Sequence, residues 1–242
     1  MTYEIWIGGY DHKHGGNRAL HVLKDELLKR DVEAWMSYEK HDPNAIGVYP
    51  EIVPDNPNGY SKIVRWKLNT ADLPADPTWA WEAGMGDYPL LTVNIIDLDL
   101  FKPRGLHRRG VAYWVGKGER DEHFIPDRAE EIHRANHPDR TELAEYISGL
   151  DYLISFDVFS AVNIEAVVSG TPVLMRGQHQ TLSREDIEAH GWTPYGIAWS
   201  MSELDEARRT VHLAREHYES LLPVFDQRVD AFVETSLRLY QG

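Results

Sequence analysis

The sequence predicts an alternating α/β protein built on parallel strands, and three observations carry that class. Short apolar runs of strand length recur at 3–7, 46–53, 110–115 and 152–156. Longer stretches between them repeat apolar residues at helical spacing. Gly-rich or Ser-bearing turns at 8–16 and 157–160 lead from a strand into a helix, which is how βα units are joined.

In the amino half, strands are expected at 3–7, 32–37, 46–53 and 90–96. Helices are expected at 18–30, with Leu20, Leu23, Leu27 and Leu28 on one face, and near 61–69. Pro and Gly are dense over 42–59 and 73–89, so those stretches read as loops. In the carboxyl half a strand at 110–115 precedes a helix at 140–149, with a cap at Thr141 and a stop at Gly149. A strand follows at 152–156. Ser160 then offers its side-chain oxygen to the first amides of a helix that ends near Gly170, a residue suited to the left-handed position after a helix. Thr171 and Pro172 lead into the next strand. A helix opens at 183–186 and closes at Gly191, and from Ser202 the pattern is helical almost to the end, with Pro223 interrupting it.

Composition sets bounds. The 242 residues, 42% hydrophobic, suffice for one large domain or two small ones. There is no cysteine, which removes disulfide and thiolate chemistry. No apolar run approaches 18 residues and no signal segment opens the chain, so a cytoplasmic protein without a membrane span is expected. The net charge of -14 opposes a duplex-binding face. One basic run at 102–109, with Lys102, Arg104, His107, Arg108 and Arg109, reads as a solvated connector with some residues near a phosphate; a surface for a polyanionic acceptor is the sharper alternative.

The segment 151–174 is the most informative. It places two carboxylates, Asp157 and Glu165, eight positions apart around a helix N-terminus at the carboxyl edge of parallel strands. Such edges bind ligands, and helix amides hold phosphate. Asp157, Glu165-Ala166 and the tail Ser169-Gly170-Thr171-Pro172-Val173 together resemble the E-x7-E segment of retaining, family-4-like (group 1) glycosyltransferases of the GT-B fold. Asp157 is one methylene shorter than the glutamate usual at its position. Three further segments are similar in the same order. These are the strand and Gly-rich loop ending in His14, Gly15 and Gly16; the stretch 94–103, which looks like a crossover into a second domain; and Gly116-Lys117-Gly118 after a strand.

The resemblance implies a minimal GT-B protein, with two small Rossmann-like domains facing a cleft. Residues 1–100 would form the acceptor-side domain and 101–223 the nucleotide-sugar domain, with 224–242 a helix packing back on the first. It implies transfer of a sugar from a UDP- or GDP-sugar to an acceptor hydroxyl, with retention and no essential metal or other cofactor. Acceptors of a glycan, a protein or a hydroxylated base in viral DNA fit, and such compact enzymes occur in bacteria and their viruses. Glu165 would bind the ribose, and Asp157 would lie near the donor sugar. His14 would act near the sugar or acceptor hydroxyl. Lys117, the amides at Ser160 and Ala161, and Arg104 or Arg120 would hold the diphosphate, with Gly15 and Gly16 letting the backbone approach it. Glu51 and Asn56 are acceptor-side candidates.

Other readings stand beside this one. A degenerate relative would bind a nucleotide sugar or a protein partner without catalysis. A nucleotide-dependent epimerase or dehydrogenase fits less well, because the first loop carries no clean G-x-G-x-x-G. Asp97 and Asp99 spell a metal-binding D-x-D on a segment that is ending, and His12 and His14 lack a third ligand. Trp79 and Trp81, read as loop residues, would stack on a sugar or base, cover a core edge, or serve a homodimer surface.

Overall fold

The computed structural model describes residues 2–8, 14–68, 76–82, 85–133, 136, 139–176, 187 and 192–240. The loop positions 9–13, with His12, and, apart from Ile187, the helix expected between 183 and 191 lie outside them. Two compact units divide the chain, Met1–Ile95 with Leu222–Gly242, and Ile96–Leu221.

The first unit holds β1 (Tyr3–Ile5), α1 (Gly15–Lys29), β2 (Ala34–Met36), β3 (Ile46–Pro50), β4 (Lys62–Lys67) and β5 (Thr78–Ala80). Its strands form one parallel sheet in the order β2-β1-β3-β4-β5. Alternation along β1 sends Tyr3 and Ile5 into a core with Leu20, Leu23 and Leu27 of α1, while Leu28 stays exposed. Glu4 takes the other face. It is fully buried and satisfied, accepting from Tyr60 Oη at 2.5 Å and the Asp42 amide at 2.7 Å, with His41 Nδ1 at 3.0 Å. Burial and this bond to Glu4 push the Tyr60 hydroxyl upward.

The second unit holds β6 (Val111–Trp114), β7 (Glu130–Glu131), α2 (Arg140–Ser148), β8 (Tyr152–Ser155), α3 (Ala161–Val168), β9 (Val173–Met175), β10 (Ile197–Ala198) and α4 (Leu204–Thr210). Its parallel sheet runs β10-β9-β8-β6-β7. Numbered within its own unit, each sheet reads 2-1-3-4-5. The chain therefore reverses direction across the sheet between the first and third strands, at β1/β3 and at β6/β8, the place where doubly wound sheets take ligands. A final helix, α5 (Ala214–Tyr240), carries the division between the units within its length.

Several expected elements are corrected. The helix near 61–69 is strand β4 instead. Val64 and Trp66 face the α1 core while Ile63 packs beside Tyr49 and Tyr60, a period of two that the charge of Arg65 disguises. Arg65 is buried and carries its own partners, the Val53 carbonyl at 2.5 Å and Asp76 at 2.9 Å. Residues 90–96 form no strand beyond one bridge from Leu90 to Ala80, although Leu91 and Val93 do enter the core. The strand instead falls at β5, inside a stretch that Pro and Gly marked as loop. The cap of α2 is Asp139, whose Oδ1 accepts the amides of Thr141 at 2.7 Å and Glu142 at 3.1 Å. Pro223 does not interrupt α5. It forfeits one backbone bond, and the helix continues because Val229 and Phe232 beyond it are buried in the first core. Trp79 lies in β5, 3% exposed and edge-on to Phe232 at 5.0 Å, and Trp81 packs on Trp66 at 5.8 Å, so both belong to the core.

Candidate functional site at the carboxyl edge of the second sheet

In the second unit the reversal point lies between β6 and β8, and the loops that leave these two strands carry Lys117, Arg120, Asp157 and Ser160 of the expected residues. Loop 115–121 follows β6 and presents Lys117; loop 156–160 follows β8 and presents Asp157 and Ser160 before α3 begins at Ala161. Ser160 is the N-cap, with extended backbone and a side chain that accepts the Val162 amide. The first amides of α3, with the partial positive charge of a helix N-terminus, thus emerge beside both loops.

The two loops are tied together. Asp157 Oδ2 accepts the Lys117 amide at 3.0 Å. The Lys117 ammonium is exposed and has no side-chain partner among the described residues. Gly116 takes φ +56, a left-handed conformation that favours glycine.

Glu165 sits one turn into α3 and is fully buried. Its Oε1 accepts Arg140 Nη2 at 2.8 Å. Arg140 opens α2, so it too comes from the carboxyl edge, and its guanidinium lies 4.8 Å from the buried Phe101 ring. A cation in the first turn of a helix opposes the macrodipole, which makes the Glu165 carboxylate its compensation. Arg176, directly after β9, reaches the Trp199 carbonyl at 3.2 Å and stacks 4.3 Å from the Phe124 ring. Neither arginine was expected at this edge. The signal available was a basic residue at the junction of a strand or helix with its loop.

Other expected residues lie elsewhere or are already engaged. Arg120 pairs with Glu122 at 2.7 Å and Glu131 at 3.2 Å above the Tyr113 ring. Arg104 donates to the Leu100 carbonyl at 3.2 Å and lies 3.9 Å from Glu145. In the basic run, Arg108 donates to the Gly170 carbonyl and the Arg109 amide to the Gly149 carbonyl at 2.9 Å. Those carbonyls end α3 and α2, so the run gathers at helix C-termini, where cations are favoured. That is about 12 Å along α3 from the Ser160 end. Asp97 Oδ1 accepts the amides of Asp99 at 3.1 Å and Leu100 at 2.9 Å, a turn cap that occupies the first acid of the D-x-D. Among the described residues no group of three or more acidic, His or Cys side chains is placed to hold a metal.

In the first unit His14 is the N-cap residue of α1, with Gly15 and Gly16 as its first turn. Among the described residues a Cβ at Gly15 would meet Ile95 at 3.9 Å, and at Gly16 Leu68 at 3.6 Å, both ordinary contacts. The described residues therefore do not demand glycine at either position. Glu51 is buried and accepts the Leu68 amide at 2.8 Å. Asn56 is committed to its own turn, bonded to Tyr49 Oη and to both backbone groups of Tyr60. Among the described residues no helix is long and apolar enough to cross a membrane.

Among solved structures the chain is similar to that of AviGT4, a glycosyltransferase involved in avilamycin A biosynthesis. The TM-score is 0.59 and the sequence identity 15%, over 100% of this chain and 98% of that one. No protein-family model and no curated protein matches the chain. The architecture is a GT-B-like glycosyltransferase fold: mixed α/β, with two parallel five-stranded sheets.

Proposed function

We propose that the protein is a glycosyltransferase that moves a sugar from a nucleotide-sugar donor to an acceptor hydroxyl, with the donor held by the second unit. The observation that carries this reading is the junction at the β6/β8 reversal point. There the bond from the Lys117 amide to Asp157 ties the loop that carries Lys117 to the Ser160-capped start of α3, and the Lys117 ammonium is exposed, without a side-chain partner among the described residues. That junction suits a diphosphate. As the bond between the anomeric carbon and the diphosphate breaks, negative charge builds on the leaving phosphate, and fixed donors aimed at it are the main catalytic lever.

In this reading Glu165 accepts from ribose hydroxyls of a UDP- or GDP-sugar, and Arg140 fixes its carboxylate. Gly15 and Gly16 would leave room for a ligand at the start of α1, and His14 would serve the acceptor hydroxyl. The family-4-like pattern further suggests retention of anomeric configuration and charge neutralisation by Lys117 and the α3 amides rather than by a metal. Acceptors with hydroxyl groups on a glycan, a protein or a modified base remain within the proposal.

The test is thermal shift of the purified protein against UDP-, GDP-, dTDP- and CMP-sugars and the free nucleotides, with Glu165→Ala beside it. One nucleotide family is expected to raise the melting temperature, because a ligand at a hundredfold excess over its dissociation constant adds about 2.7 kcal/mol to the folded state. Glu165→Ala is expected to abolish that shift and sugar transfer while remaining folded; unchanged turnover would sink the assignment. The complete burial of Glu165 and its pairing with Arg140 favour a second reading, in which a glycosyltransferase-like fold binds a nucleotide sugar or a protein partner without catalysis. Calorimetry separates the two: binding of a nucleotide sugar that is neither transferred nor slowly hydrolysed selects the second.

A further inference from the structure

Asp157 is one methylene shorter than the acid of the pattern it resembles, and the local packing supplies a reason. Its backbone is anchored. The carbonyl accepts Asn163 Nδ2 at 2.8 Å, Ser155 Oγ at 3.1 Å and the Ser160 amide at 3.2 Å, and both Asn163 and Ser155 are fully buried. With the carbonyl held at the foot of α3, the reach of the carboxylate is set by side-chain length and rotamer.

At that reach Oδ2 meets the Lys117 amide at 3.0 Å. The opposing loop is shaped to allow it. A Cβ on Gly116 would overlap Asp157 Oδ2 and stand 2.7 Å from Asp157 Cβ. The Trp114 indole nitrogen, buried and without a hydrogen bond among the described residues, is 2.5 Å from the same point. Gly118 fits equally closely, since a Cβ there would overlap the Phe156 carbonyl and lie 3.1 Å from the Asp157 amide. Two glycines and one short acid thus seal the β6 loop onto the β8 loop. A glutamate's extra methylene, about 1.5 Å of bond length, would move the carboxylate off the position from which Oδ2 meets the Lys117 amide.

We propose that Asp157 is a positioning residue, a clasp that sets where Lys117 stands relative to the first turn of α3, and that the shorter acid is matched to Gly116 rather than being a worn version of a sugar-binding glutamate. The inference rests on the donor reading above for its consequence, since the Lys117 amide and ammonium are the groups that would meet a diphosphate. It makes an unexpected prediction: restoring the glutamate damages the site.

The experiment compares charge-matched pairs, wild type with Asp157→Glu and Asp157→Asn with Asp157→Ala. Calorimetry is run with UDP, GDP and dTDP and with uridine, guanosine and thymidine. Asp157→Asn keeps an acceptor oxygen at the same reach and is expected to bind the diphosphate at least as well as wild type. Asp157→Glu should bind it about tenfold or more weakly than wild type, and Asp157→Ala about tenfold more weakly than Asp157→Asn, a difference of about 1.4 kcal/mol in each pair. Nucleoside binding should not change within either pair. Equal loss for nucleoside and diphosphate would mark a general structural role and overturn the proposal, as would wild-type diphosphate affinity in Asp157→Glu. If the wild type binds no nucleotide, the donor reading has failed. The clasp is then judged by amide exchange at Lys117, which must quicken in Asp157→Ala and stay slow in Asp157→Asn; unchanged exchange in Asp157→Ala overturns it.

Discussion

Glu165 and Arg140 show at the level of single residues how a buried charge is kept in this fold. A carboxylate removed from water is costly unless paired, and Arg140 supplies the pair at 2.8 Å while resting on Phe101. Removing one partner of a buried pair costs about 3–5 kcal/mol, and the partial exposure of Arg140 lowers the expectation for Arg140→Met to about 2–3 kcal/mol. Urea unfolding would measure it, and Arg140→Lys, which keeps the charge without the planar fork, should recover only part of the loss. Loss of stability below about 0.5 kcal/mol in Arg140→Met would show the pair to be incidental. Glu165 itself was legible from its neighbours Ala166, Gly170 and Pro172. Arg140 was not, because a contact across 25 positions leaves no local mark.

The βα junction around α3 is the element on which the proposed chemistry turns, and its ends were readable because caps and stops are local. Ser160 accepts the Val162 amide, and Gly170 takes φ +84, as their residue types suggest. Ser160→Ala is expected to cost about 1 kcal/mol, within the 0.5–2 usual for such caps, and to weaken diphosphate binding through a frayed first turn. Chemical denaturation together with nucleotide calorimetry checks both effects, and a variant that loses neither would remove α3 from the site. Element type was misread where side-chain chemistry hid the period. In β4 the buried Arg65 broke an otherwise apolar alternation, and only its bonds to Val53, Asp55 and Asp76 show how a guanidinium is accommodated there. The short strands β7 and β10, two residues each, carry too little pattern to announce themselves.

For the whole molecule the informative fact is that the first unit is completed by the far end of the chain. Tyr3 Oη and Ser236 Oγ are 2.7 Å apart, Lys62 Nζ reaches the Tyr240 carbonyl at 3.2 Å, and Tyr240 Oη donates to the Ile63 carbonyl at 2.5 Å. Phe232, 1% exposed, meets both Tyr3 and Trp79. Phe232→Ala should therefore destabilise the first unit by about 3–5 kcal/mol, as other large core truncations do. Differential scanning calorimetry would show this as a lowered first transition with the second unit's transition unchanged; a single unshifted transition would mean that the first core does not depend on α5.

The sequence by itself determined the alternating α/β class, the strand at the start of each unit and the capped helix after Asp157. These are written in periodicity and in residues whose backbone preferences act within a few positions. Tertiary structure alone decided the strand order 2-1-3-4-5 in both sheets, the pairing of Arg140 with Glu165 and the bond from Asp157 to the Lys117 amide. Each of those joins residues far apart in the chain, and such contacts follow from which surfaces meet when strands align and apolar faces leave water, which no local pattern encodes.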